Sequence, residues 1–219
     1  MKMTKELEAR LKLMSRFNQV TSRRGKASVY TDKIFVHDKI MYATDGHIFV
    51  YADNLTDNEA FSFFAGKKFV YKDDTEAKED AEYLNNGSKL ERIISQFNHY
   101  PLCFDINFED YPLPAKLMGN CSNRYINNLC TINFQTEECT FYFEGGADNL
   151  GGVTGIYGDI LQNIEGEKPE AELKIQIWYI LEIMKVCKVK KIHVQCYPER
   201  KHYTCKVGDY TFIFMGADC

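Results

Sequence analysis

Asp45 and His47 flank a single glycine in the segment Met41–Tyr51, MYATDGHIFVY, and a carboxylate beside an imidazole is material for general acid–base chemistry. No nucleophile in a recognisable flanking motif accompanies the pair, and no second carboxylate cluster does. An enzyme built on them would need a deep polar cleft or a bound metal at this point. A second set, His193, Cys196, His202 and Cys205, has the residue types of a zinc site. The alternation of a strand argues against it. With a period of two, Cys196 shares a face with Ile192 and Val194 while His193 points the other way. Cys205 likewise joins Tyr203 and Val207, opposite His202. The two histidines and two cysteines then divide between opposite faces of one hairpin, and no metal is expected. Gly151-Gly152-Val153-Thr154-Gly155 lacks the GxxxxGK[ST] spacing and a following helix, so it is not a phosphate loop. No cofactor is called for.

The elements that must position these residues are legible in part. Thr4 to Asn18 has helical spacing, with Leu7, Leu11, Met14 and Phe17 on one apolar face and Thr4 as cap. Ser28 to Val36, Ile40 to Thr44 and His47 to Ala52 read as short strands, with Asp45-Gly46 a tight hairpin turn between the last two. Phe61 to Tyr71 is a further aromatic strand, broken near Gly66. Asp73 to Glu82 is a solvated charged stretch, and Ser88 to Phe97 a second helix. Leu102 to Phe108 alternates like a strand. The two prolines of Asp110-Tyr-Pro-Leu-Pro114 then interrupt regular structure and mark a domain boundary.

In the second half, Cys130 to Phe134 and Cys139 to Glu144 form a predicted hairpin, followed by a glycine-rich loop from Gly145 to Gly158. Leu173 to Ile177 is strand-like and Trp178 to Cys187 helical, with no pattern to separate the two. Lys191 to Tyr197, His202 to Val207 and Tyr210 to Met215 are the last three predicted strands.

The chain has 219 residues, which suits two domains of about 110 residues each. Hydrophobic residues make up 45%, enough for packed cores. The 15 Phe and 14 Tyr favour strands with aromatic cross-strand pairs. With 27 basic and 31 acidic residues the net charge is -4, so contact with nucleic acid has to come from a local patch. No apolar run reaches the ~20 residues of a membrane helix, and the N-terminus lacks a signal-peptide core. A cytoplasmic location is expected, with the eight cysteines as reduced thiols.

The ATDGH segment resembles the same string in the bacterial replicative sliding clamp, the beta subunit that tethers DNA polymerase to its template. Glu172 to Lys185 is similar to a strand-to-helix segment of the clamp's last domain, of the type IGFNVRYLLDALK, and Tyr210 to Cys219 to its final strand, of the type YVVMPMRL. Residues 1–112 resemble the clamp's middle domain, including EDYPLP near its end, and residues 113–219 its last domain. The clamp's first domain has no counterpart here. Two differences stand out: Ile48-Phe49 replaces the usual Arg-Leu after the histidine, and the chain ends Met215-Gly-Ala-Asp-Cys219 where the family has MPMRL.

The resemblance implies an α+β fold of two clamp-like domains, each with helices packed on one face of antiparallel sheet. It implies a non-enzymatic protein of DNA replication. Polymerase or clamp-loader peptides would bind an interdomain groove walled by Thr44, Gly46, His47, Phe49, Gln176, Tyr179, Ile213 and Met215. Duplex DNA would be held without sequence preference by Lys5, Lys12, Arg16, Lys89, Arg92, Lys185 and Lys188, through salt-sensitive phosphate contacts. Three copies would close a six-domain ring; a monomer or dimer that does not close is the other arrangement. The rival function is a clamp-fold peptide-binding regulator or decoy that does not encircle DNA. No membrane contact is implied.

Overall fold

The computed structural model describes residues 4–17, 33–37, 40–53, 55, 60–64, 70–72, 101–109, 129–143, 152–157, 160–200 and 202–216. The predicted helix Ser88 to Phe97, the charged stretch Asp73 to Glu82 and the boundary prolines lie outside the described residues. The fold is α+β, with antiparallel sheets and two described helices. The chain forms two compact units, Met1–His99 with Asp209–Ile213, and Tyr100–Gly208 with Phe214–Cys219.

The first unit begins with α1, Lys5–Met14. Thr4 caps it: its side-chain oxygen accepts the Leu7 N–H at 3.1 Å, satisfying one of the free donors of the first turn. Leu7, Leu11 and Met14 are buried, and a 3-10 turn, Ser15–Phe17, adds Phe17 to the same core. Five strands follow: β1 (Lys33–His37), β2 (Ile40–Thr44), β3 (Ile48–Asp53), β4 (Ala60–Phe64) and β5 (Val70–Lys72). They pair antiparallel in the order β3-β2-β1-β4-β5. Ile48, Val50 and Ala52 of β3 are buried in turn with the pleat. On the alternate face Phe35, Tyr42, Phe49 and Tyr51 form a ladder of rings, with centroids 5.4 Å apart for Phe35–Tyr42 and 5.5 Å for Tyr42–Phe49. β2 is thus buried on both faces, which explains the unbroken apolar run at Met41, Tyr42 and Ala43.

The second unit contains β6 (Leu102–Asn107), β7 (Leu129–Asn133), β8 (Glu138–Phe143), β9 (Gly152–Tyr157), β10 (Leu161–Gly166), β11 (Leu173–Gln176), α2 (Ile177–Cys187), β12 (Lys191–Tyr197) and β13 (His202–Val207). One sheet runs β10-β6-β12-β13 and the other β11-β7-β8-β9. The last strand, β14 (Tyr210–Met215), contributes its first four residues to the first unit and its end to the second. The predicted loop from Gly145 to Gly158 contains a strand, β9. Gly152 and Gly155 suppress strand propensity locally, and the ladder with β8, irregular between Phe141 and Tyr142, supplies what propensity does not. β10 carried no readable alternation, because its pairing to β6 is bulged between Gln162 and Glu165.

β11 passes into α2 without a loop. Gln176 is the cap residue, extended at φ -64° and ψ 114°, and its side chain makes no capping bond, so no sequence signal marks the junction. At the other end Lys188 takes the left-handed conformation, φ 57° and ψ 39°, a position usually filled by Gly or Asn. The Val189 N–H then donates to the Met184 carbonyl at 3.0 Å and closes the helix.

Candidate functional site

The corner between β2 and β3 is built by two side chains. Thr44 pairs with Phe49 and the Asp45 N–H donates to the Ile48 carbonyl at 3.3 Å, so Asp45, Gly46 and His47 connect the strands, one residue more than the two-residue turn expected. The Asp45 carboxylate explains the difference. Its Oδ1 accepts the N–H groups of His47 and Ile48, both at 2.9 Å, giving each a partner at the end of the ladder. The Thr44 hydroxyl donates to the Ile48 carbonyl at 2.7 Å and accepts the Gly46 N–H at 3.0 Å. Gly46 sits at φ +93°, where an L side chain is strained. Asp45 is buried, while Gly46 and the His47 side chain are exposed on a fixed backbone. This is the geometry of a rigid display corner. One carboxylate oxygen of Asp45 is engaged by backbone.

The other residues expected to wall a groove divide between the units. In the first, Phe49 is half-buried in the ring ladder and Ile213 is buried. In the second, Tyr179 is buried on the first turn of α2, with ring centroids 5.4 Å from Trp178 and 6.1 Å from Phe214. Gln176 is half-buried and its Oε1 has no hydrogen-bond partner among the described residues. Met215 is 48% exposed and is the exposed large hydrophobic side chain of the described residues.

The basic residues are unequal. Lys5, Lys12 and Arg16 are exposed on or just beyond α1, but Lys12 is held at 2.6 Å by Glu8 one turn earlier. Arg10, not a sequence candidate, is buried on the apolar face of α1. It donates to the Asp53 carbonyl and to Asp209 Oδ2, with its guanidinium 5.5 Å from the centroid of the Tyr210 ring. Lys185 and Lys188 are exposed at the end of α2, in a helix buried from Trp178 to Met184. Lys89 and Arg92 lie outside the described residues.

Of the zinc-type residues, Cys196 and Cys205 are buried and His193 is exposed. Burial pushes the Cys196 thiol up to about 12. Burial raises the Cys205 thiol too. Among the described residues no three His, Cys, Asp or Glu side chains are placed to hold a metal.

His193 has another partner, which sequence reasoning missed. Its Nδ1 lies 2.9 Å from Asp105 Oδ1, while Asp105 Oδ2 accepts from Lys191 at 2.8 Å and from Asn163 at 2.6 Å. Burial pushes the Asp105 carboxyl up, but the hydrogen bonds from Lys191, Asn163 and His193 outweigh it and hold the group below the usual aspartate value. Asn163 reaches Asp105 from within the β10 bulge, at φ +50°.

No family model matches the chain, and no curated protein does. Solved structures do. The DNA polymerase III subunit beta of Pseudomonas aeruginosa superposes with a TM-score of 0.56 at 8% identity, over 97% of this chain and 65% of that one. The same subunit from Borrelia burgdorferi, in complex with a natural product, gives 0.58 at 12% identity, over 96% and 62%. The Caulobacter crescentus beta sliding clamp, with polyethylene glycol bound, gives 0.58 at 10% identity, over 98% and 64%. The fold is therefore that of the bacterial sliding clamps, and the chain spans just under two thirds of the length of these proteins.

Proposed function

We propose that this chain is a sliding-clamp-like, non-catalytic protein of DNA replication. It binds duplex DNA without sequence preference, and it binds peptides of polymerases or clamp loaders. The observation that carries this reading is the fold likeness to DNA polymerase III beta subunits over almost the whole chain, at TM-scores of 0.56 and 0.58. The corner supports the peptide half of it. The Thr44 hydroxyl and Asp45 Oδ1 fix the backbone, so His47 is presented on a rigid edge with little entropy to lose on binding. Each unit by itself carries apolar side chains of the kind a peptide site uses, Phe49 and Ile213 in the first and Tyr179 and Met215 in the second. The exposed lysines and Arg16 supply the DNA half, through phosphate contacts that weaken with salt.

Light scattering at low salt, with and without duplex DNA, tests the reading. A trimer is the expected mass, since three two-domain chains make a six-domain ring. A monomer indifferent to DNA would remove the ring and leave a peptide-binding regulator of the same fold.

A further inference from the structure

β10 is joined to its sheet by polar side chains more than by apolar burial. Among the described residues it is the outer strand, paired to β6 alone. Leu161 is its one buried side chain, and Gln162 to Gly166 are half-buried or exposed. β6 and β12, by contrast, bury Leu102, Phe104, Ile106, Ile192, Val194 and Cys196. The ladder is interrupted as well. Three steps along β10, from Gln162 to Glu165, face two along β6, from Asp105 to Cys103, so one extra residue bulges out. Little apolar burial and a broken ladder give a strand a low free energy of local opening.

Two buried polar residues of β6 make the attachment. Asn107 holds the start of β10: its N–H donates to the Ile160 carbonyl at 2.9 Å and its Nδ2 to Gln162 Oε1 at 3.1 Å. Asp105 holds the middle. Its Oδ2 accepts from Asn163 Nδ2 at 2.6 Å, out of the bulge, where Asn163 takes φ +50°. Asn is one of the few side chains that tolerate that left-handed backbone. Lys191 and His193 grip the same carboxylate from β12, at 2.8 and 2.9 Å, which anchors it to the strand on the other side of β6. The β6–β12 ladder itself runs from Lys191 to Cys196 without a break. We propose that β10 is a latched strap: it opens from β6 as a unit of its own, and the Asn163–Asp105 bond is its catch. Opening leaves the N–H and C=O groups along the outer edge of β6 without their strand partners, which makes that edge a template for pairing. The inference does not rest on the DNA or peptide readings.

Two neighbouring amides report on the strap. The Asn107 N–H bonds toward β10, through the Ile160 carbonyl, and the Phe108 N–H toward β12, through the Lys190 carbonyl at 2.8 Å. Hydrogen exchange of the folded protein, followed by NMR in rising but sub-denaturing urea, reads both openings. In the wild type, after correction for intrinsic rates, Asn107 should exchange about tenfold or more faster than Phe108. Its rate should also depend less on urea, because releasing one strand exposes less surface than unfolding the chain. Asn163→Gly keeps the left-handed backbone and removes the catch. It should speed Asn107 exchange about tenfold or more, as for loss of a hydrogen bond to a charged group. Asn163→Asp sets a second carboxylate against Asp105 and should speed it too. Equal protection and equal urea dependence of the two amides in the wild type would overturn the strap. Unchanged Asn107 exchange in either variant would overturn the catch.

Discussion

Arg10 Nη2 meets Asp209 Oδ2 at 3.0 Å, tying the first helix to the residue that precedes the last strand. The two ends of this bond differ: the Arg10 side chain is 4% exposed and that of Asp209 71%. The guanidinium therefore depends on the Asp53 carbonyl and the Tyr210 ring as much as on Asp209. Arg10→Ala should destabilise the protein by about 2–4 kcal/mol, by leaving a cavity and an unpaired carbonyl. Asp209→Asn should cost under about 1 kcal/mol, as for exposed pairs. Arg10→Lys should recover only part of the loss, because an ammonium cannot fork between two acceptors or stack on a ring. Urea midpoints of the three variants rank them, and a larger loss for Asp209→Asn than for Arg10→Ala would contradict the account.

Asp45 separates a structural role from a catalytic one. Asp45→Ala strands the N–H groups of His47 and Ile48 and should cost about 2–3 kcal/mol. Asp45→Asn keeps an acceptor oxygen in place and should cost under about 1 kcal/mol. Gly46→Ala meets no atom within 4 Å, so its cost of about 1 kcal/mol is backbone strain alone. Thermal unfolding of the three variants checks the order. A catalytic aspartate would show the opposite pattern, with Asp45→Asn stable but inactive in any reaction the protein carries out.

The corner was legible because Asp-Gly and the flanking alternation are local signals, and the limits of β12, β13 and β14 were legible for the same reason. The aspartate's grip on two N–H groups widened the turn in a way composition does not show. Arg10 was readable in principle: it lies three residues after Leu7 and four before Met14, on the apolar stripe. A charge is assigned to solvent by default, and its partners lie 43 and 199 positions away. Asp105 was hidden in the same manner, on the polar face of an alternating strand with partners 58 and 88 residues distant. Local pattern gives elements; buried polar chemistry is written in long-range register.

Asp105 predicts a pH signature. Its folded value is depressed by Lys191, Asn163 and His193 against the raising effect of burial. A depressed carboxylate contributes stability above its unfolded value of about 3.9, and that contribution fades as pH falls toward the folded value. Asp105→Asn should therefore destabilise the protein by about 1–3 kcal/mol near neutrality. The gap from wild type should close below about pH 4. Denaturation midpoints between those limits measure the gap. A gap that widened with acid would show that Asp105 is held neutral in the fold.

Met215 offers the sharpest test of peptide binding. It is 48% exposed, so Met215→Asp should leave stability within about 0.5 kcal/mol of wild type. His47→Ala should be similarly quiet, because the corner uses the backbone N–H of His47 and not its ring. If these side chains contact partner peptides, both substitutions weaken binding: Met215→Asp by tenfold or more, since it loses apolar area and adds a charge that must be desolvated, about 1.4 kcal/mol or above. The measurement is fluorescence anisotropy of a labelled polymerase-derived peptide known to bind a bacterial sliding clamp. Binding that survives both substitutions in a fully folded protein would place the peptide site elsewhere. Loss of affinity with an unchanged unfolding temperature would assign both residues to it.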